Sequence, residues 1–268
     1  MPKLPSSLLS LTDFNGQPLC GELLRSSFDS LMRQNGYVYM SNVPAQFDPV
    51  AFCRTLGDFV PQYTGVLVGD VVPEPGMDDV YHSGNTRALL PHTEGYDFHG
   101  LPPRYMALWC VAPVHGAGGE TTLADGYRWV EELDEAHRRA MRERVHRWKT
   151  TDGVLRMGLH FGGVHPILED HQQGLIVRFS YNNLLHDGDR TTVEVLESGR
   201  SFFERTHVAV DYERDAMLVW DNWRMLHSRN AFTDRGRHLK RIQIAAARTP
   251  GSEAAGPAPA RALASAGT

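Results

Sequence analysis

Cysteine is scarce in this sequence, and the three that occur, Cys20, Cys53 and Cys110, are widely spaced. An odd number without a CxxC pair argues against a disulfide framework and a zinc knuckle, and it predicts reduced thiols in a cytoplasmic protein. No apolar run approaches the length of a membrane span, and no signal peptide is expected at the start. The net charge of −5 leaves no basic field that would bind nucleic acid or an anionic membrane.

Short strand candidates separated by glycine- and proline-rich turns dominate the sequence after about residue 79. Apolar residues at helical spacing precede them, and one amphipathic helix is predicted within the strand-rich part, over 127–145. This pattern is typical of a mainly β protein with flanking helices, folded as a sandwich or barrel. Strands are predicted at residues 80–82, 88–91, 106–111, 121–124, 145–149, 155–161, 175–180, 207–210, 217–220 and 239–246.

The chain is long enough to bury a sizeable core in one domain. We predict a single domain over residues 1–249, with a helical N-terminal flank at about 1–60 and a β core at about 79–247. Residues 250–268 are rich in Ala, Pro, Gly and Ser, which predicts a disordered tail.

His92 and Glu94 flank Thr93 in a short extended stretch. Alternate side chains of a strand point to one face, so the imidazole and the carboxylate would project side by side. With one more histidine, such a pair makes the 2-His-1-carboxylate triad that holds non-haem Fe(II). Because the chain has 13 histidines, a chance match is the alternative: a buried structural histidine beside a solvated glutamate.

A second block near the C-terminus supplies a candidate for the third ligand. A predicted strand over 217–220 ends in the turn Asp221-Asn222, and a second short strand then presents His227. In a barrel, a late strand can pair beside an early one, so a ligand far along the chain fits the same site.

Two arginines, Arg237 and Arg241, share one face of the strand candidate that follows His227. Buried together they would need acidic partners, and guanidinium is a natural fork for a carboxylate. The alternative is a basic edge strand that resists aggregation. Their position soon after a candidate iron ligand favours the carboxylate clamp. Thr121, after the glycine pair 118–119, offers a hydroxyl to the same cavity, with an ordinary turn as the alternative.

In their order along the chain, these motifs closely resemble the taurine/2,4-D dioxygenase family of Fe(II)/2-oxoglutarate oxygenases. The matching motifs are HT(D/E), GG(D/E)T, WDN-x-R-x-x-H and R-x-x-x-R, and the likeness runs from about Gly36 to Ala246. The resemblance implies a double-stranded β-helix (jelly-roll) core. It also implies an oxygenase that uses Fe(II), with 2-oxoglutarate and O2 as co-substrates.

The resemblance also implies a role for each matching residue. His92, Glu94 and His227 would bind Fe(II). The distal carboxylate of 2-oxoglutarate would pair with Arg237 and accept a hydrogen bond from Thr121. Arg241 matches a family position near the carboxylate of the substrate or of the co-substrate.

Glu94 departs from most of the family, which has Asp at this position. Glutamate occurs there in the clavaminate-synthase-like branch, whose members often oxidise amino acids or related intermediates in specialised metabolism. Halogenating relatives have Ala or Gly instead, so a carboxylate argues against halogenation. We therefore expect hydroxylation of an unactivated C–H bond in a small amino-acid-like or carboxylate-bearing metabolite, free or tethered to a carrier.

Other functions stay open at this point. Desaturation or oxidative cyclisation would use the same site, whereas a zinc hydrolase would need the triad but not the paired arginines. A non-catalytic jelly-roll binding protein is the third alternative. Candidate substrate contacts are Arg178, Ser83, Asn85, His99 and Trp223; Arg178 in an apolar strand could equally face outward to solvent.

Overall fold

The computed structural model of the protein describes residues 7–80 and 82–247. The helices in this part are α1 (Gly21–Asn35), α2 (Pro49–Leu56), α3 (Gly126–Glu132), α4 (Glu135–Glu143), α5 (Asp152–Arg156) and α6 (Arg190–Thr206). The strands are β1 (Leu8–Ser10), β2 (Tyr37–Ser41), β3 (Phe59–Val60), β4 (Val68–Val71), β5 (Tyr105–Ala112), β6 (Thr121–Asp125), β7 (Val145–Trp148), β8 (Val164–Pro166), β9 (Leu168–His171), β10 (Gly174–Val177), β11 (Leu184–Leu185), β12 (Val208–Val210), β13 (Met217–Asp221), β14 (Met225–Arg229) and β15 (His238–Ile244).

A seven-stranded sheet forms one wall of the core. Its strands follow the order β1-β2-β13-β5-β15-β3, and β4 also pairs with β15. A smaller sheet in the order β12-β6-β14 supplies the other wall of the central cavity. Several neighbouring strands come from distant parts of the chain; β13, for example, lies between β2 and β5. Such pairing of strands that are not consecutive in sequence is typical of a jelly roll. The predicted fold class, mainly β with flanking helices around a jelly-roll core, is confirmed.

Helices α1 and α2 cover the outer face of the large sheet. Phe28 and Phe52 meet edge to face, with ring centroids 5.2 Å apart. They pack with Met40 and Ile242 of the sheet in one buried cluster. Asp48 starts α2, because its carboxylate accepts hydrogen bonds from two amide groups of the first turn.

Helices α3 and α6 pack on a second part of the core, next to residues His92-Thr93-Glu94, here called the HxE segment. Trp129 of α3 lies edge to face on Phe179, with ring centroids 5.2 Å apart. Gly199 of α6 lies so close to both rings that a Cβ there would approach them to 2.8 and 2.9 Å. The helix thus backs Phe179, whose carbonyl accepts a hydrogen bond from the Thr93 amide at 2.8 Å.

The single helix predicted over 127–145 is wrong, because the structure has α3 and α4 there instead. Asp134 accepts a hydrogen bond from the His137 amide and so starts α4 as a new helix. Helix α6 was not predicted at all. Its apolar positions, among them Val195 and Phe202, are separated by small and charged residues, which weakens the helical pattern.

Three predicted strands are also wrong. Residues 155–161 form the end of α5 and a turn, because Gly158 takes a left-handed φ of 77°. The described residues of 80–82 and 88–91 lie in bends and extended loop, outside the two main sheets. Tyr81 lies outside the described residues.

Two further expectations concern the ends of the chain. The disordered tail predicted over 250–268 lies outside the described residues, and the domain limits of 1–249 stay a prediction. Among the helices of the described part, none is both long and apolar enough to cross a membrane.

Candidate active site

Backbone hydrogen bonds hold His92 and His227 side by side. The His92 amide donates to the His227 carbonyl at 2.9 Å, and the His227 amide donates to the His92 carbonyl at 2.8 Å. The two residues therefore form an antiparallel bridge between the HxE segment and β14. Their rings lie with centroids 4.2 Å apart.

Glu94 is fixed by the side chain of Asn222, from the turn after β13. The Glu94 amide donates to Asn222 Oδ1 at 2.7 Å, and Asn222 Nδ2 donates to the Glu94 carbonyl at 3.0 Å. The same Nδ2 reaches the Pro103 carbonyl at 2.9 Å. One carboxamide therefore holds both backbone groups of Glu94, and the side chain is directed by a rigid peptide.

The three side chains converge on one point. One ligand atom from each of His92, Glu94 and His227 lies within 4.8 Å of the others. Among the residues that the structure describes, no other cluster of three or more His, Cys, Asp or Glu side chains converges in a way that could hold a metal ion. Two imidazoles and a carboxylate on one side are the donors of a facial non-haem iron site.

The protonation of both imidazoles suits metal binding. His92 Nδ1 lies 2.8 Å from the Leu90 carbonyl, which can only accept, so Nδ1 carries the hydrogen and Nε2 keeps a free lone pair. Within the described residues, buried His227 Nδ1 makes no hydrogen bond. Burial lowers the pKa of His92, and it lowers the pKa of His227 well below its usual range. Both rings are therefore neutral, as metal ligands must be.

A cavity of about 880 Å³, counted to its open mouth, contains these groups. Strands of both sheets contribute to the wall. Its lining residues are Tyr63, Val71, His82, Ser83, Leu89, His92, Glu94, Tyr96, Met106, Leu108, Thr121, Thr151, Val154, Trp220, His227, Ser228, Arg229, Arg237 and Arg241.

Arg237 and Thr121 line the same cavity. The Arg237 residue is only 3% exposed, and its Nη2 donates to the Gly119 carbonyl at 3.0 Å. Desolvation lowers the pKa of this guanidinium, since burial disfavours its charge. Thr121 Oγ1 shares a hydrogen bond of 2.8 Å with the Tyr212 hydroxyl. A guanidinium and a hydroxyl can both donate hydrogen bonds to a carboxylate.

Arg241 projects into the cavity from β15 and faces the carboxylate of the HxE segment. Its Nη1 lies 3.8 Å from Glu94 Oε2. Gln62 fixes the guanidinium, because Arg241 Nε donates to Gln62 Oε1 at 2.9 Å. Gln62 Nε2 in turn donates to the Arg241 carbonyl at 3.2 Å.

Arg229 is a cavity residue that the sequence analysis did not find. It follows His227 by two positions on β14, so both side chains point to one face of the strand. Its guanidinium donates to the Ser83 carbonyl at 2.7 Å and to the Arg87 carbonyl at 2.6 Å. The sequence offered one signal, the two-residue spacing between Arg229 and His227. This signal was too weak alone, because the backbone carbonyls that bind Arg229 cannot be recognised from the sequence.

Among the five candidate substrate residues, Ser83 lines the cavity and the others lie elsewhere. Asn85 is buried and accepts a hydrogen bond from Arg229 Nη2 at 2.7 Å. His99 is exposed on the surface. Buried Trp223 donates through Nε1 to the Pro102 carbonyl at 3.1 Å.

Arg178, the remaining candidate, is buried in a structural network. Its Nε lies 3.3 Å from Glu169 Oε2, and its Nη2 donates to the Gly100 carbonyl at 3.0 Å. Its Nη1 lies 3.4 Å from the Gly95 carbonyl, directly after Glu94. Arg178 therefore supports the loop behind the site, and a substrate carboxylate would have to compete with Glu169.

Known proteins are similar to this chain in sequence and in fold. Residues 10–243 match the family described as Taurine catabolism dioxygenase TauD, TfdA family. Tyrosine isonitrile desaturase of Pseudomonas aeruginosa is 25% identical over 251 residues, which are 84% of this chain and 82% of that protein.

Two solved structures illustrate the likeness of fold. One is asparagine oxygenase in complex with Fe(II), 2S,3S-3-hydroxyasparagine and succinate, with a TM-score of 0.72, 20% identity, and coverage of 88% of this chain and 86% of that one. The other is the non-haem iron oxygenase OrfP in complex with Fe and alpha-ketoglutaric acid, with a TM-score of 0.63, 18% identity, and coverage of 84% and 79%. The chain belongs to the TauD/TfdA family and is a non-haem iron, 2-oxoglutarate-dependent dioxygenase.

Proposed function

We propose that His92, Glu94 and His227 bind Fe(II), and that the enzyme hydroxylates an unactivated C–H bond of a small amino-acid-like carboxylate. The observation that supports the metal site most directly is the convergence of the three ligand atoms within 4.8 Å in the central cavity. When bound, the iron with 2-oxoglutarate and O2 supplies an oxidant for C–H bonds.

The protein's own residues bind and orient the co-substrate and the substrate, and they exclude water from the site. Arg237 and Thr121 would hold the distal carboxylate of 2-oxoglutarate, since a buried guanidinium gains an anionic partner there. Arg241 would hold a second carboxylate on the side of Glu94. The apolar wall, including Leu89 and Leu108, would keep water from the reacting carbon.

The amino-acid-like substrate rests on the relatives. Asparagine oxygenase and tyrosine isonitrile desaturase both carry the name of an amino acid or of a compound derived from one. Desaturation is the second candidate reaction, favoured by the 25% identity with the desaturase. Specialised metabolism fits both, and a carrier-tethered substrate stays open.

The metal assignment is tested by mixing the protein anaerobically with Fe(II) and 2-oxoglutarate. Wild type should develop the visible charge-transfer band of the chelate, and both His92→Ala and His227→Ala should lose it. Absence of the band in wild type, together with absence of succinate formation, would refute the proposed oxygenase site.

The co-substrate clamp is tested by Arg237→Ala, which should raise the 2-oxoglutarate concentration at half-maximal band intensity by at least about tenfold. Arg235→Ala is the matched control, because Arg235 is exposed and pairs with Asp78 at the surface. An unchanged requirement in Arg237→Ala would assign the distal carboxylate to another residue.

A further inference from the structure

The cavity has an excess of positive charge. Three arginines line it, Arg229, Arg237 and Arg241, against one lining carboxylate, Glu94. The Arg229 and Arg237 residues are only 5% and 3% exposed. Buried guanidinium groups raise the potential of the whole cavity, because protein around them screens charge less than water does.

Binding of the metal and the co-substrate leaves this excess in place. The two positive charges of Fe(II) and the two carboxylates of 2-oxoglutarate cancel each other. Glu94 is then engaged by the metal as well as lying 3.8 Å from Arg241. The five positive charges of the three arginines and Fe(II) therefore still exceed the three negative charges of Glu94 and 2-oxoglutarate when the substrate arrives.

The lining described by the structure offers no free acid for an ammonium group. Its remaining surface is largely apolar and aromatic, with Val71, Met106 and Trp220 as examples. Asp97 lies behind this wall, 0% exposed, and accepts a hydrogen bond from the Tyr63 hydroxyl at 2.6 Å. A substrate cation could not reach it without displacing that bond.

The groove next to the cavity does contain acids, but they lie outside the enclosed space. Asp70 pairs there with Lys240 and His238, both at 2.6 Å. Glu74 is exposed to solvent in the same groove. A solvent-exposed carboxylate outside the cavity compensates an ammonium group inside it poorly, because water and salt screen its charge.

We propose that the substrate enters this cavity as an anion: a carboxylate in which any nitrogen carries no positive charge, as after acylation or conversion to an isonitrile. A free amino acid would bring its ammonium group into a cavity with excess positive charge and an apolar wall, whereas an anion would reduce the excess charge. This inference rests on the proposed function and specifies its substrate class.

Matched sets of compounds test the proposal on the anaerobic enzyme loaded with Fe(II) and 2-oxoglutarate. One set is N-formyl-L-phenylalanine, L-phenylalanine and phenethylamine, and the other is N-formyl-L-leucine, L-leucine and isopentylamine. Binding is measured by perturbation of the charge-transfer band and, independently, by equilibrium dialysis. In at least one set, the anion should bind at least about tenfold more tightly than the zwitterion and the amine.

The proposal is overturned if L-phenylalanine, L-leucine or an amine binds as tightly as its N-formyl partner, or if neither anion binds. Failure of the proposed function gives a different result, because the charge-transfer band would then be missing before any compound is added. If the charge-transfer band forms and the zwitterion binds tightly, the anion inference is refuted while the proposed function stands.

Two variants locate the source of the preference. Arg241→Gln should reduce the preference for the anion by about tenfold. Glu74→Gln should leave it unchanged, and a loss of L-phenylalanine binding in this exposed variant would show that Glu74 receives an ammonium group, against the proposal. Because Glu74 is at the surface, its variant tests the idea even if Arg241→Gln fails to fold.

Discussion

At the scale of single residues, the site depends on one carboxamide. Asn222 satisfies the amide and the carbonyl of Glu94 and also reaches Pro103. The side chain is 0% exposed, so water cannot replace it. The placement of a metal-ligand candidate is thus controlled by a residue that touches neither metal nor substrate.

Asn222→Ala should lower the free energy of unfolding by about 1–3 kcal/mol, because buried backbone groups of Glu94 lose their partner. It should also weaken Fe(II) binding, since the peptide that directs the carboxylate becomes free to move. Urea denaturation and metal titration measure the two effects. Exposed Asn15→Ala is the control, and equal behaviour of the two variants would contradict the assignment.

Asp97 makes the stability of the fold depend on pH. Burial raises the pKa of this carboxyl from 3.8 to about 6, against the hydrogen bond from Tyr63. The folded state therefore holds the proton more tightly than the unfolded chain. The resulting stabilisation is full below pH 3.8 and is lost as the pH rises through about 6.

Asp97→Asn removes this titration while its Oδ1 can still accept from Tyr63. Relative to wild type, the variant should gain about 3 kcal/mol of unfolding free energy between acidic and neutral pH. Urea denaturation across that range checks it, and the control is Asp29→Asn, which removes a partly exposed surface carboxylate. If the difference in unfolding free energy between Asp97→Asn and wild type does not change with pH, the assigned role of Asp97 is refuted.

Residues with a chemical pattern could be predicted, and residues with backbone partners could not. His92, Glu94 and His227 stood out through spacing and order along the chain, and the structure brings them together. Arg178 was named as a candidate substrate contact, and Arg229 was not predicted at all, for the same reason. Their guanidinium groups bind mostly carbonyls, which every residue has, so no partner is visible in the sequence.

At the scale of elements, α6 supports the site from behind. It packs Gly199 against Phe179, the residue that bonds to the HxE segment through Thr93. The sequence did not reveal this helix, since close packing selects a glycine where helix propensity would favour another residue. Tertiary contact here overrides the local preference.

Gly199→Ala should destabilise the protein by about 1–3 kcal/mol even though alanine favours helices, because the added Cβ would meet Phe179 at 2.8 Å. Gly21→Ala is the matched control, since no atom lies within 4 Å of a Cβ built at that helical glycine. Thermal denaturation compares them. Stabilisation by Gly199→Ala would mean that α6 packs more loosely than described.

At the scale of the whole molecule, the cavity joins the two sheets. β15 and β13 supply Arg241 and Trp220 from the large sheet, while β6 and β14 supply Thr121 and Arg229 from the small one. Individual strands could be predicted from local patterns. Their order in the sheets could not, because it arises from contacts between distant segments, and only the family resemblance indicated it.

Because the ligand site joins distant parts of the chain, its occupancy should stabilise the whole fold. Mn(II) with 2-oxoglutarate, each at ~100-fold excess over its dissociation constant, should raise the free energy of unfolding by about 2.7 kcal/mol or more. Differential scanning calorimetry measures the shift in Tm. His92→Ala should abolish it, and a shift that persists in this variant would place the binding elsewhere.

The bridge between His92 and His227 also has a consequence for protein synthesis. Translation proceeds from the N-terminus at ~5–20 residues per second, so His92 leaves the ribosome many seconds before its partner. Until β14 arrives, the HxE segment lacks the second imidazole and the two backbone hydrogen bonds between His92 and His227. The group of three candidate ligands is therefore complete only after β14 has been made, when most of the strands that enclose the cavity are also present.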